Sequence, residues 1–176
     1  MSSRDARSKS VGTDRTSARG PNSAFLLAQL GAHAAQRFGR LVAEVDLTPP
    51  LAGLLRAVAA GPGRSQQEVA AQLGTPPARM VALVDDLDQR GLVERKRNPD
   101  DRRLYALSLT DVGRDVLTTV GRIAAHHDDL LLAALDETER LQLHAMLSRV
   151  AAQQGLTSGV HPGYRTLGKP ETADKK

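Results

Sequence analysis

Residues 91–113 read Gly91-Leu92-Val93-Glu94-Arg95-Lys96-Arg97-Asn98-Pro99-Asp100-Asp101-Arg102-Arg103-Leu104-Tyr105-Ala106-Leu107-Ser108-Leu109-Thr110-Asp111-Val112-Gly113. Two short strand-like runs flank Asn98-Pro99-Asp100, where Pro presets φ and the short polar side chains bond locally, so the stretch predicts a hairpin. Arg95, Lys96, Arg97, Arg102 and Arg103 cluster around its tip, while Leu104, Tyr105, Leu107 and Leu109 anchor its second strand. A run of cations is ordinarily just a solvated face. Here a turn holds the arginines out together, and a narrow minor groove attracts Arg through its concentrated negative potential. Contact with duplex DNA is therefore expected of the cluster. Asp101 is better placed to hold Arg103 than to meet DNA, since a phosphate repels a carboxylate.

Immediately upstream, Ser65-Gln66-Gln67-Glu68 has the S-x-x-E form of a capping box and starts a short helix with Val69, Ala70 and Leu73 inward. Gly74 breaks it, and Thr75-Pro76-Pro77 restarts a helix that turns Met80, Leu83, Val84 and Leu87 inward and stops at Gly91. Two helices across a tight Gly turn make a helix-turn-helix. The second such helix reads the major groove with its N-terminal part, so Pro77, Ala78 and Arg79 are candidates, followed by Val81 and Ala82. Arg79 is the strong base reader, because its fork matches guanine O6 and N7; Ala78 offers at most a thymine-methyl contact. Ser65, Gln66 and Gln67 at a helix start, with Thr75 at the turn, suit phosphate oxygens, and the same residues also serve as ordinary caps.

Further out, Leu27, Leu30, Ala34, Phe38, Leu41 and Val45 recur at helical spacing from Ser23 onward. Thr48-Pro49-Pro50 caps a second helix carrying Leu51, Leu54, Leu55 and Val58 to the Gly61-Pro62-Gly63 stop. Thr110 caps a fifth helix, about 30 Å long at about 1.5 Å per residue, with Val112, Val116, Leu117, Val120, Ile123 and Ala124 on one face. Asp136-Glu137-Thr138-Glu139 opens a sixth, which ends at Gly155. The expected fold is mainly α with a small β-wing: a winged helix-turn-helix of six helices. Residues 1–22 read as a disordered basic arm carrying Arg4, Arg7, Lys9, Arg15 and Arg19, and 155–176 as a mobile tail. The domain spans 23–154, with a DNA-binding lobe at about 48–110 and dimerisation helices at about 23–45 and 111–154. Those outer helices carry more apolar residues than a small lobe can cover, which points to a homodimer about a two-fold axis.

Composition narrows the function classes. The 176 residues carry a formal charge of +4 and a pI near 9.8, which favours an anionic partner. No cysteine is present, which excludes disulfides, thiol sensing and Cys-based zinc sites. With Phe25, Phe38, Tyr105 and Tyr164 the only aromatics, stacking on single strands is a poor fit, so double-stranded DNA is the expected partner. No run reaches a membrane span and no secretory leader is apparent, so a cytoplasmic protein without a membrane partner is expected. His33, His126, His127, His144 and His161 include no i, i+4 pair, and neither a metal site nor a cofactor is expected. Walker A, G-x-S-x-G and H-E-x-x-H motifs are absent, so nothing supports an enzyme. Two alternatives stay open: a winged helix that docks its basic hairpin on an acidic protein, and a metal-responsive regulator.

The stretch Leu92-Val93-Glu94-Arg95, then Asp101-Arg102-Arg103, then Leu109-Thr110-Asp111-Val112-Gly113 resembles the D-x-R wing and L-T-x-x-G sequence of the MarR family. Leu83-Val84-Asp85, Leu87 and Arg90-Gly91-Leu92-Val93 extend the likeness, and the helix order follows it over residues 23–154. The resemblance implies a roughly triangular homodimer, interlocked through helices 1, 5 and 6 of both subunits. It also implies a pseudo-palindromic operator and repression relieved by a small-molecule effector held in a crevice bounded by helices 1, 2 and 5. His33, Phe38 and Leu54 are the candidate walls of that crevice. The chain departs from the pattern at Ala82 and Asp86, where relatives often carry Arg or another polar residue.

Overall fold

The computed structural model describes residues 20–97 and 105–166. Asn22 starts the first helix, its side-chain oxygen accepting from the Phe25 N–H at 2.9 Å. Helix α1 then runs Ser23–Ala43. A short turn brings Asp46 to a φ of 56°, the one left-handed non-glycine among the described residues. Arg90 donates to its carbonyl and helps hold that turn. Helix α2 (Pro49–Ala60) follows with Pro in its first turn, where the missing N–H costs nothing. Thr48 occupies its N-cap position without a side-chain cap bond.

Helix α3 (Gln66–Leu73) begins on a complete capping box between Ser65 and Glu68 and ends at Gly74, whose φ of 64° carries the chain into the turn. Helix α4 (Pro77–Gln89) then leads into strands β1 (Val93–Arg97) and β2 (Tyr105–Leu109). The strands pair antiparallel from Val93 opposite Leu109 to Arg97 opposite Tyr105. The segment before α3 joins the same sheet, since Ser65 bridges Ala106 and the Leu107 N–H donates to the Arg64 carbonyl at 2.9 Å. The wing and the helix-turn-helix are thereby hydrogen-bonded to one another.

Helix α5 (Asp111–Leu131) starts where Thr110 does two jobs. Its hydroxyl donates to the Gly91 carbonyl at 2.6 Å and accepts from the Gly113 N–H at 2.9 Å. Gly113 is required there, because a Cβ would sit 1.9 Å from the Leu92 carbonyl oxygen. This is the physical content of the L-T-x-x-G sequence. Helix α6 (Glu137–Gln153) opens on the Asp136–Glu139 capping box expected of it.

The core lies in the lobe: Leu51, Leu54, Leu55, Val58, Val69, Met80, Val84, Leu87, Val93 and Leu107 are buried, with Val42 of α1 and Val120 of α5 closing it. At roughly 1.5 to 3 kcal/mol for each large side chain, this packing holds α2, α3, α4 and the wing as one body. Helix α6 buries none of its residues.

One expectation is corrected. The segment after Gly155 is not featureless up to Thr166, because Pro162–Thr166 forms a 3₁₀ turn and Tyr164 is only 6% exposed. Composition hid this because a single aromatic anchors an otherwise polar stretch. The proposed basic arm lies outside the described residues, apart from its last three positions.

Candidate nucleic-acid interface

The outward face of the lobe is built by the two restarts of helix. In α3 the Ser65 hydroxyl accepts from the Glu68 N–H at 3.3 Å, and Glu68 Oε2 accepts from the Ser65 N–H at 2.7 Å. These bonds to Ser65, from its backbone first and its hydroxyl second, hold the Glu68 carboxyl below its ordinary pKa. In α4 the first turn is Pro77, Ala78 and Arg79, all exposed. With helical N–H groups and a guanidinium that makes no ion pair among the described residues at that end, the first turn attracts anions. Gln66, Gln67, Pro77 and Val81 border one hollow between α3 and α4, so the start of α3 and the first turn of α4 share a surface, with Ala78 and Arg79 outside the hollow itself.

Two residues of the predicted set do other work. Thr75 is only 5% exposed, and its Oγ1 has no partner among the described residues. The expectation that its side chain meets DNA is corrected: the turn leaves it buried. Arg95 is also reassigned. With 28% of its side chain exposed, its guanidinium pairs with Asp85, and with Asp88 at 2.7 Å. It clamps β1 to the back of α4, and two carboxylates leave little charge for a phosphate.

This clamp answers the question that the acidic end of α4 poses. Asp85, Asp86 and Asp88 would repel DNA if left bare, but Arg95 takes two of them and Arg90 takes Asp86. Lys96 pairs with Glu94 at 2.6 Å. Arg97 is exposed at the end of β1 and makes no ion pair among the described residues. Asp101, Arg102 and Arg103 lie outside the described residues. The free positive charge on the described face is thus Arg79 on the helix and Arg97 on the wing.

Sequence reasoning missed the arginines that set this geometry. Arg64 donates to the Ala57 carbonyl at 3.0 Å, to the Gly61 carbonyl at 3.3 Å and to Gln72 Oε1 at 2.5 Å, locking the end of α2 to α3. Arg114 donates to the Leu109 carbonyl at 2.9 Å and fixes α5 to the base of the wing. Nothing in their spacing separates such arginines from solvated ones, since each acts on a backbone carbonyl brought near by the fold.

A second concavity, of about 390 Å³, opens behind the lobe between α1, α2 and α5. Of the three residues expected to line it, Phe38 does; its ring meets His127 edge-on with centroids 5.8 Å apart. The other two are corrected. Leu54 is 0% exposed, a core residue on the inner side of α2, and His33 is exposed and does not line the cavity. The described walls instead include Ala52, Gly53 and Arg56 of α2, Leu117 and Val120 of α5, and Tyr164. Among the described residues no group of His, Asp or Glu is arranged to hold a metal ion, and no described helix is long and apolar enough to cross a membrane.

Comparison with known proteins agrees with this geometry. The sequence profile of the MarR family matches residues 45–104, the stretch from the end of α1 to the wing. A putative transcriptional regulatory protein for the hcr operon of Thauera aromatica is 31% identical over 123 residues, 69% of this chain and 74% of that protein. The transcriptional repressor CouR bound to a 23-mer DNA duplex superposes with a TM-score of 0.66 at 37% identity, covering 74% of this chain and 92% of that one. CouR from Rhodococcus jostii RHA1 bound to p-coumaroyl-CoA gives 0.61 at 26% identity, over 73% and 90%.

Proposed function

The chain belongs to the MarR family of transcriptional regulators, and from that premise we propose that it is a homodimeric repressor of a pseudo-palindromic operator, released by a small-molecule effector. The observation that carries this reading is the exposed first turn of α4, with Arg79 in it, on the same lobe as a wing whose first strand ends in the exposed Arg97. Arg79 reads base edges in the major groove; Arg97, Arg102 and Arg103 hold the flanking backbone or minor groove; Gln66, Gln67 and the start of α3 meet phosphate. The DNA-bound CouR neighbour supports duplex DNA over an acidic protein as the partner.

Dimerisation is supported by what the fold leaves uncovered. Phe25, Leu26, Leu27 and Leu30 of α1, Leu130 of α5, and Leu141, Met146, Leu147 and Val150 of α6 are exposed. Large apolar side chains in such number call for a partner surface. A second copy supplies it about a two-fold axis and sets two recognition helices about 34 to 36 Å apart, one turn of the duplex. Residues 23–154 form this regulator unit, and the arm at 1–22 adds sequence-independent attraction to phosphate. The cavity behind the lobe is the effector site, a role supported by the acyl-CoA bound to one relative.

The test begins with genomic fragments retained on immobilised protein, sequenced to find the operator. Fluorescence anisotropy on that duplex and a scrambled one is then measured across salt concentrations. Tight, salt-dependent and sequence-selective binding by the wild type is expected. Equal operator affinity for the wild type and an Arg79→Ala, Arg102→Ala, Arg103→Ala variant overturns the assignment.

A further inference from the structure

The cavity between α1, α2 and α5 has a fourth wall that the helix-turn-helix does not supply. Beyond α6 the chain returns across the lobe, and Arg56 of α2 donates to the Gly159 carbonyl. Val160 packs against the core, and Tyr164 directs its hydroxyl end at the start of α2. Its hydroxyl donates to the Pro50 carbonyl at 2.8 Å, with the Pro49 carbonyl at 3.4 Å. The seat is shaped for it: a Cβ on Gly53 would stand 1.7 Å from the Tyr164 hydroxyl oxygen. A glycine inside a helix costs about 1 kcal/mol relative to Ala, and here it leaves the notch that the phenol fills. Burial pushes the Tyr164 pKa up to about 12 against the pull of nearby Arg56, so the ring stays a neutral donor throughout the physiological range.

The cavity that remains is apolar over most of its described wall, through Phe38, Ala52, Leu117 and Val120. Its polar groups sit together on the strap side. Arg56 makes no ion pair among the described residues. His161 accepts the Gly163 N–H on Nδ1 at 3.0 Å, so its neutral ring carries the proton on Nε2. No Asp or Glu stands among the described lining residues. An apolar chamber with a guanidinium and an imidazole at one end suits an amphipathic anion, with its apolar body inside and its acid head on Arg56 and His161.

We propose that the segment Leu156–Thr166 is a strap that completes this site, latched by Tyr164 in the Gly53 notch, and that the site takes an amphipathic organic anion through Arg56 and His161. Calling the occupant an effector rests on the regulator reading; the latch and the anion site do not.

The experiment uses the full chain in a Tyr105→Phe background. With Tyr105 removed and no Trp present, tyrosine fluorescence reports Tyr164 alone. Gly53→Ala is expected to raise quenching of that fluorescence by acrylamide several-fold, because the added methyl unseats the ring. Binding of anilinonaphthalene sulfonate, an aromatic anion, is then titrated. Gly53→Ala, Tyr164→Ala, Arg56→Gln and a chain ending at Thr157 are each expected to bind it at least ten-fold more weakly. Gly53→Ala should add nothing to Tyr164→Ala. Unchanged quenching in Gly53→Ala, dye affinity that is unchanged or tighter without the strap, or the lack of a saturable dye site in the wild type each overturn the proposal. Operator binding by the unliganded variants is measured alongside and should equal that of the wild type. A wild type that binds dye as expected but ignores DNA refutes the regulator reading and leaves the strap standing.

Discussion

The lobe of α2, α3, α4 and the wing differs from the base of α1, α6 and the far end of α5 in one respect that governs the rest. The lobe largely satisfies itself: most of its large apolar side chains are buried, α3 starts on a full capping box, and its acidic patch is neutralised by Arg90 and Arg95. The base does not, for α6 has equally good local structure, with a full capping box, yet buries no residue. Good helix signals and good burial are therefore separate properties. In the proposed function the self-contained lobe is the head presented to DNA, and the uncovered base is the surface through which two copies pair.

The sharpest way to break this contrast is to damage each region in turn. Leu54→Ala removes a fully buried side chain from the middle of the lobe and should lower stability by about 3 kcal/mol in urea unfolding. The comparable truncation Met146→Ala, at an exposed position of α6, should cost an isolated subunit little. Charging the base is next. Leu141→Glu with Leu147→Glu should give a monomer in sedimentation velocity with its lobe intact, and operator affinity should drop about 100-fold as the second recognition helix is lost.

Smaller effects probe the lobe's own surface. Arg79→Ala should weaken the selected operator by about 1 to 3 kcal/mol in anisotropy and relax base preference. Arg95→Ala should cost about 0.5 to 1 kcal/mol of stability, since its ion pairs are partly exposed, and should weaken all duplexes alike by loosening the wing rather than by removing a contact. The smallest effect concerns pH. Because the folded state holds Glu68 below its ordinary value of 4.5, its capping contribution is complete above that pH and fades as pH falls through the lower folded value. Glu68→Gln should flatten that part of the acid limb of the stability profile, followed by circular dichroism.

How much of this was legible beforehand depended on how local the signal was. Ser65-Gln66-Gln67-Glu68, Gly74 and Asp136-Glu137-Thr138-Glu139 announce caps and stops, and all three appear where expected, because the groups involved lie within one helical turn. Arg79 was equally readable as an exposed residue in a first turn, since three buried neighbours at helical spacing, Met80, Leu83 and Val84, fix which way it faces. The ion pairs of Arg95 were not legible in the same way. In sequence it is one cation among five, and only the approach of β1 to the back of α4 turns it toward Asp85 and Asp88.

Thr75, Leu54 and Tyr164 teach the same lesson from three sides. A polar residue beside a turn can face inward, an apolar one can sit on the wrong side of its helix to touch a cavity, and a lone aromatic in a polar stretch can close a wall. Periodicity, capping and turn chemistry act over a few residues, so the chain's order of helices, its paired strands and the exposed first turn of α4 could be read from the amino acids alone. Which arginine is neutralised, which residues border the cavity and how a segment after Gly155 seats against a glycine more than a hundred residues earlier required the folded chain. Those outcomes rest on contacts between elements remote in sequence, where burial and close approach rather than local preference select the partner.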